Sequence, residues 1–464
     1  MTVTATGGGA YDQKLSRELS LTEVVFLAVS SAAPAGSVFM MAPLLIGSLG
    51  GASVAAMMMA ATVAVCVGLC YGELATAYPI AGGEYTWAAR MLNRPIGFAV
   101  FLLILVSGPG VVATQATAAC DYLALVWPAA GGTATRVGLI AFVTVVAVLN
   151  VRTNSWITAG FLLIEVLVLL ALAVLGFTNA TRGAEIFVAP QFVDATGALR
   201  GGDWWSVLSV LPLALLSYMG FQNAVYFAEE ATGQTLLMGR AILVSLAAMV
   251  MLELVPLSAV VIGAPSLPRL MAAASPIGQF VLERGGEGLG RVVSLGIVVA
   301  LVNTMIVVVN IFARILFASA RDRSWPGAVD RMLGTVHDRF RTPVAATVVM
   351  GVASAAASFL PYGWLIATEA NVVLLTFGVV GVCALRVRRS TRPVAGGYEM
   401  PGWPLPPLML ILATLALAYR ASQDTPSSLG VSVAMMGVGL LYYYAYIHPR
   451  RNERWTLPSV IRID

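Results

Sequence analysis

Two stretches, Ser30-Ser31-Ala32-Ala33-Pro34-Ala35-Gly36-Ser37 and Ser217-Tyr218-Met219-Gly220-Phe221-Gln222-Asn223, place helix breakers and hydrogen-bonding groups inside otherwise apolar runs. Proline removes a helix hydrogen bond, glycine tolerates unusual dihedrals, and serine competes for backbone groups. A helix broken this way exposes amides at the start of one half and carbonyls at the end of the other. Amides at the positive end of a helix dipole attract a carboxylate, and carbonyls attract an ammonium. One pair of breaks can therefore recognise a zwitterion without a charged side chain. The plainer reading of either break is a proline kink. The chemistry on offer is recognition rather than bond-making.

A third candidate is Glu165, set in Phe161-Leu162-Leu163-Ile164-Glu165-Val166-Leu167. An ionisable group inside an apolar segment costs about 2.5–3.5 kcal/mol on insertion scales and is a functional candidate by default. It either carries a coupling proton, attracts a cationic group, or is a hydrogen-bonded structural carboxyl. Asp121, Glu253 and Glu369 are weaker candidates, the first two expected near segment ends. Asn303, Thr304 and Asn310, with Thr114 and Gln115, are polar groups at helical spacing that line a cavity or bond between helices. Glu73 and Glu84, with Arg90, read as packing or gating groups at a segment end.

Other chemistries lack their residues. The only histidines, His337 and His448, lie in or beside polar connections, so a haem or zinc site inside the apolar segments loses its usual ligands. Cys66, Cys70, Cys120 and Cys383 read as small apolar fillers, and no metal or cofactor is expected. Gly286-Glu287-Gly288-Leu289-Gly290 is expected in a loop rather than between a strand and a helix, so it is no nucleotide cradle. The net charge of +4 is no nucleic-acid signature, since the positive residues cluster beside apolar segments.

The elements that must position these groups are long. About twelve apolar segments recur between residues 22 and 447, in a chain that is 59% hydrophobic and 11% charged. Each is long enough to cross a bilayer as a helix, the one open-chain form that satisfies its own backbone in lipid. The expected spans are 22–47, 52–78, 96–126, 135–150, 155–177, 205–229, 240–263, 291–320, 343–360, 364–386, 404–420 and 428–447. With both termini inside, cytoplasmic segments hold 19 of the 27 Lys and Arg residues and external ones hold 7. That asymmetry predicts an even number of spans in the inner or plasma membrane. The polar start, with Lys14 and Arg17, lacks a signal-peptide pattern, so the first span is expected to direct its own insertion.

Four stretches, taken in order, closely resemble the amino acid–polyamine–organocation transporters. They are Tyr71-Gly72-Glu73 through Pro79 to Gly82-Gly83-Glu84-Tyr85; Gly220 through Glu229 and Glu230 to Gly239-Arg240; Arg321-Asp322-Arg323 through Pro326 with Arg341-Thr342-Pro343; and Arg392-Pro393 through Pro401 to Pro404. The resemblance implies an all-α fold of the LeuT type, two inverted five-helix repeats and two peripheral helices. Residues 22–177 would form the first repeat, 205–386 the second and 404–447 the peripheral pair, between cytoplasmic tails 1–21 and 448–464. It implies alternating-access transport of an amino acid or amine, in a monomer or homodimer, with no covalent chemistry. By position, amides around Gly36, Ser37 and Val38 would receive a substrate carboxylate. Carbonyls of Ala33, Ser217 and Met219 would receive its ammonium, with Tyr218 as a lid or wall and Gln222, Asn223 and Asn303 close by.

The departures bear on mechanism. The family usually shows Gly-x-Gly in its first helix, where this chain has Ala35-Gly36-Ser37, which leaves an amine without a carboxylate open as substrate. Gln222 stands where some members carry glutamate and cannot take a proton. Many relatives place a lysine near position 165, whereas the single lysine here is Lys14, so Glu165 reverses the sign and a proton is the expected coupling ion. The competing readings are a polyamine or amine permease, a non-transporting membrane sensor on the same fold, and a channel.

Overall fold

The computed structural model describes residues 20–78, 82–149, 151–194, 197–227, 238–273, 275–337, 340, 342–390 and 397–456. Lys14, Arg17, Pro79, Glu229, Glu230, Arg341, Arg392 and Pro393, and the last eight residues, lie outside them. So does the pairing of Arg314 with Glu229 or Glu230 that the sequence allows.

The first span is two helices, α1 (Leu21–Ala32) and α2 (Pro34–Leu49). A capping box starts α1: the Glu23 amide donates to the Ser20 hydroxyl (3.3 Å) and the Ser20 amide to the Glu23 carboxylate (2.7 Å). It stops where Pro34 cannot donate to the preceding turn, and Ala33 takes a left-handed conformation (φ 48°, ψ 72°) between the halves. Then come α3 (Ser53–Ala77), α4 (Gly83–Met91), α5 (Arg94–Val126), α6 (Thr133–Val148) and α7 (Val151–Thr178). A two-stranded antiparallel hairpin, β1 (Gln191–Val193) and β2 (Leu199–Gly201), precedes α8 (Trp204–Ser217).

A turn at Tyr218–Gly220 and a 3₁₀ segment, Phe221–Phe227, complete the sixth span. The chain continues through α9 (Met238–Gly263), α10 (Leu267–Ala272), α11 (Pro276–Arg321), α12 (Gly327–Leu333), α13 (Val344–Ala357), α14 (Tyr362–Ser390), α15 (Leu405–Asp424) and α16 (Pro426–Tyr442). Each of the twelve expected spans holds a helix. Among the described residues, nine helical stretches are long and apolar enough to cross a membrane. One of them, Leu21–Ala77, is 57 residues and contains both the broken first span and α3. Helices α6 and α13 are apolar but shorter. Apart from that short hairpin the regular structure is helical, and the protein is a multi-pass membrane protein.

Two expectations about position are corrected. Gly286–Gly290 is not a loop: it belongs to the 46-residue α11, in which Gly286 alone is non-helical (φ 75°, ψ 176°). A periodicity count treats glycines as breakers, but only the one residue that turns the chain uses that freedom. Glu253 is not near a span end. It sits mid-way along α9, about 15 Å of helix from the nearer end.

Lipid and interior divide α7. On α7 the exposed apolar residues Leu163, Leu167, Leu170 and Val174 recur at spacings of three and four, a stripe for acyl chains. Leu162, Glu165, Leu169 and Leu172 occupy the opposite, buried face. Glu165 therefore points inward, as an ionisable group in a membrane must. On the side of the α3 and α14 C-termini, Arg388 bonds Glu73 (2.6 Å) and ties α14 to α3. The Glu73 carboxylate also accepts from the Met400 amide (3.1 Å).

Candidate functional site

The two breaks face each other. Gly220 has φ 120°, and a Cβ there would lie 2.2 Å from the Cα of Ala32, so the second break rests directly on the end of α1. Only glycine permits both the dihedral and the approach. Hydrogen bonds fasten the contact. The Ser31 hydroxyl donates to the Ala28 carbonyl (2.8 Å) and the Gly220 carbonyl (3.3 Å). The Asn223 amide donates to the Ser31 hydroxyl (3.2 Å), and the Ser37 hydroxyl to the Ser217 carbonyl (2.7 Å).

Between the breaks and α5, α11 and α14 lies a cavity of about 180 Å³. Of the expected site residues, Ala33, Gly36, Ser37, Met219, Gln222 and Asn223 line it. Val38, Ser217, Tyr218 and Asn303 are not in its lining and are buried. The Asn303 side chain makes no hydrogen bond among the described residues. Glu165 lies behind the wall, where its carboxylate accepts the Ala35 amide (2.8 Å).

That last bond changes what the first break offers. Pro34 has no N–H, the Ala35 amide belongs to Glu165, and the Ser37 amide donates to the Ala33 carbonyl (2.9 Å). Of the N-terminal amides of α2, Gly36 is the one left to the cavity. The protein supplies its own carboxylate to the positive end of α2, an arrangement worth up to about 2 kcal/mol in a partly buried setting. The Ala33 and Ser217 carbonyls, expected to meet an ammonium, are engaged by Ser37. The Gln222 side-chain carbonyl takes the Gly220 amide (2.9 Å).

The walls are mostly apolar, from Met40, Met41, Ile104, Val308, Phe312 and Phe377 among others. The ends are acidic. Glu369, from α14, accepts from the Thr114 hydroxyl (3.3 Å). Glu84, from α4, accepts from the Tyr71 hydroxyl (2.8 Å) and the Tyr226 hydroxyl (2.6 Å). Glu84 thereby joins α3, α4 and the 3₁₀ segment after the second break. Along α14 the lining runs from Glu369 to Phe377, about 12 Å. Neither lysine nor arginine lines the cavity among the described residues.

Tyr71, Tyr226, Met40 and Met41 escaped sequence reasoning, because their types are ordinary in apolar helices. Glu369 carried a signal, a carboxylate among apolar neighbours, and its burial on α14 now gives that signal a place. Asp121 is exposed on α5 and outside the cavity. Thr114 and Gln115 line it, whereas the Thr304 and Asn310 side chains bond carbonyls of their own helix.

Comparison with known proteins bears on this geometry. A family profile described as "Amino acid permease" matches residues 19–441. The chain is 26% identical to an uncharacterized transporter of Mycobacterium tuberculosis over 93% of this chain and 91% of the relative. It is 22% identical to the branched-chain amino acid permease BcaP of Bacillus subtilis over 97% of both chains. It is 24% identical to the vacuolar cationic amino acid transporter 4 of Arabidopsis thaliana, over 81% of this chain and 64% of that protein.

Proposed function

This chain belongs to the amino acid permease family, and on that premise we propose that it is a secondary transporter that moves a small amino acid by alternating access, coupled to a proton. The observation that carries the reading is the meeting of two broken helices at one buried cavity, fastened to each other by Ser31, Ser37 and Asn223. Non-helical backbone at membrane depth is tolerated where protein buries it or a wet cavity adjoins it, and in transporters such pairs of breaks mark the substrate site. In this reading 22–177 and 205–386 are the inverted repeats, 404–447 the peripheral pair, and both termini face the cytoplasm of a plasma-membrane protein.

The cavity residues take distinct parts. The Gly36 amide meets a carboxylate, and Ser31, Gln222 and Asn223 supply hydrogen bonds between the breaks. The apolar walls hold the side chain. The Tyr226–Glu84 bond pins the 3₁₀ segment to α4, so parting it frees that segment when the inner path opens. Thus the cycle needs binding and movement only, and the protein carries out no covalent chemistry.

A second reading is favoured by one observation: carboxylates at both ends of the cavity with no basic residue between them among the described residues. That charge pattern suits a substrate with a second amine, and the relatives named for branched-chain and for cationic amino acids set the two poles of the panel to be tested. Purified protein in liposomes is expected to show saturable uptake of at least one amino acid, with accumulation above equilibrium when the interior is alkaline. A panel of amino acids and polyamines that yields no saturable uptake or exchange would overturn the transporter reading.

A further inference from the structure

We propose that Glu253 and Glu165 form a single proton-binding site behind the two breaks, separate from the substrate cavity. The inference rests on the transporter reading above and adds the place where its coupling ion is held. Neither residue lines the cavity, and both are buried, Glu165 with no exposed surface and Glu253 at 1%. They come from helices that pack on each other, α7 and α9, and both reach the first turn of α2, Glu165 at the Ala35 amide (2.8 Å) and Glu253 beside the Ser37 hydroxyl.

Hydrogen bonding leaves this cluster unfinished. Glu165 spends one oxygen on the Ala35 amide, and its other oxygen has no partner among the described residues. Among the described residues neither Glu253 oxygen makes a hydrogen bond, although the Ser37 hydroxyl lies beside it, committed to the Ser217 carbonyl. Tyr218, close enough for its hydroxyl to feel the Glu253 charge, is wholly buried, and that hydroxyl has no partner among the described residues. Native interiors rarely leave so many polar atoms unpaired in one place without a ligand or an exchangeable proton.

The charges define that ligand. The titratable groups near Glu253 among the described residues are Glu165 from α7 and Tyr218 from the end of α8, with the Ser37 hydroxyl from α2; of the other elements packed on α9, α3 and the 3₁₀ segment commit Tyr71, Tyr226 and Glu73 to Glu84 and Arg388, Glu23 of α1 bonds Ser20, and Glu185 is exposed. Among the described residues no cation offsets the two acids. Two carboxylates sharing a dry site cannot both stay ionised, and a proton is the smallest group that relieves them. It binds one carboxylate oxygen as an O–H, and it leaves as a proton to water.

The position couples that event to the breaks. Glu165 touches the first turn of α2 through Ala35, and Glu253 touches it through Ser37, whose hydroxyl is the tie to the second break. Loading or emptying the pair changes the charge at the positive end of α2 and competes for the Ser37 hydroxyl. The Ser37–Ser217 tie is thereby made sensitive to the proton.

The test is Glu253→Gln in liposomes, with two readouts. Counterflow exchange of labelled substrate is expected to stay within about threefold of wild type, because the residue lies outside the cavity. Accumulation driven by an alkaline interior is expected to fall at least tenfold and its pH profile to flatten, with Glu253→Asp restoring both. Should E253Q not elute as a monodisperse species, Glu165→Gln carries the same test, since the two acids are one site. Gradient-driven accumulation unchanged in E253Q, or wild-type accumulation that follows a sodium gradient and ignores pH, would overturn the proposal. Wild-type protein with neither exchange nor uptake would instead overturn the transporter reading beneath it.

Discussion

Gly220→Ala is expected to reduce uptake on the order of 30-fold or more while leaving the protein membrane-inserted. Two costs fall on the same atom. A left-handed dihedral such as φ 120° costs a non-glycine residue about 1–3 kcal/mol, and the new Cβ would sit 2.2 Å from the Ala32 Cα. Relieving that overlap moves the end of α1 and adds about 1–3 kcal/mol, as overpacking does. The displacement would stretch the Ser31–Gly220 bond and separate the two breaks. Gly430→Ala on α16 is the matched control: its Cβ meets nothing within 4 Å, and uptake should be unchanged. Initial uptake rates, normalised to protein inserted in the liposomes, decide the matter. A G220A rate equal to wild type would show that the breaks need not touch.

Glu165 separates packing from charge through two substitutions. Glu165→Leu removes the acceptor of the Ala35 amide and leaves that N–H buried and unpaired, at about 1–3 kcal/mol. Leucine also withdraws the carboxylate from the positive end of α2. Uptake and exchange are therefore both expected to fall by roughly 10- to 100-fold. Glu165→Gln keeps an oxygen for the Ala35 amide, so exchange should persist while gradient-driven accumulation fails. Counterflow and gradient assays on the same preparations resolve the pair. Equal behaviour of the two variants in both assays would mean that Glu165 acts by one property alone.

Much of this architecture was legible because membranes impose so strong a rule. A segment that must bond its own backbone in lipid becomes a helix, and its length follows from bilayer thickness. Pro34 and Gly220 announced the breaks for the same reason, since one lacks a donor and the other admits a dihedral that other residues avoid. What the sequence could not supply was depth and facing. Glu253 is expected near a segment end but lies ten residues from the nearer end of α9, and only the packed bundle brings it to the same turn of α2 as Glu165. The amides of α2 looked free to meet a substrate until Glu165, 130 residues along the chain, took one of them. Glu84 likewise read as a segment-end charge, whereas the tyrosines that hold it come from two other elements. Partners distant in sequence leave no local signature.

The most direct test of the central claim, that substrate binds between the two breaks, is protection of an engineered thiol. Thr376 lines the cavity on α14, and its hydroxyl bonds only the Val372 carbonyl of its own helix (2.8 Å), so Thr376→Cys is a mild change. The native thiols, Cys66, Cys70, Cys120 and Cys383, are all buried and can be replaced by serine or alanine. The rate at which a small permeant thiol reagent alkylates T376C should fall several-fold when the transported amino acid is added, and recover when it is washed out. Transport-competent T376C whose alkylation is indifferent to saturating substrate would place the binding site elsewhere and contradict the account.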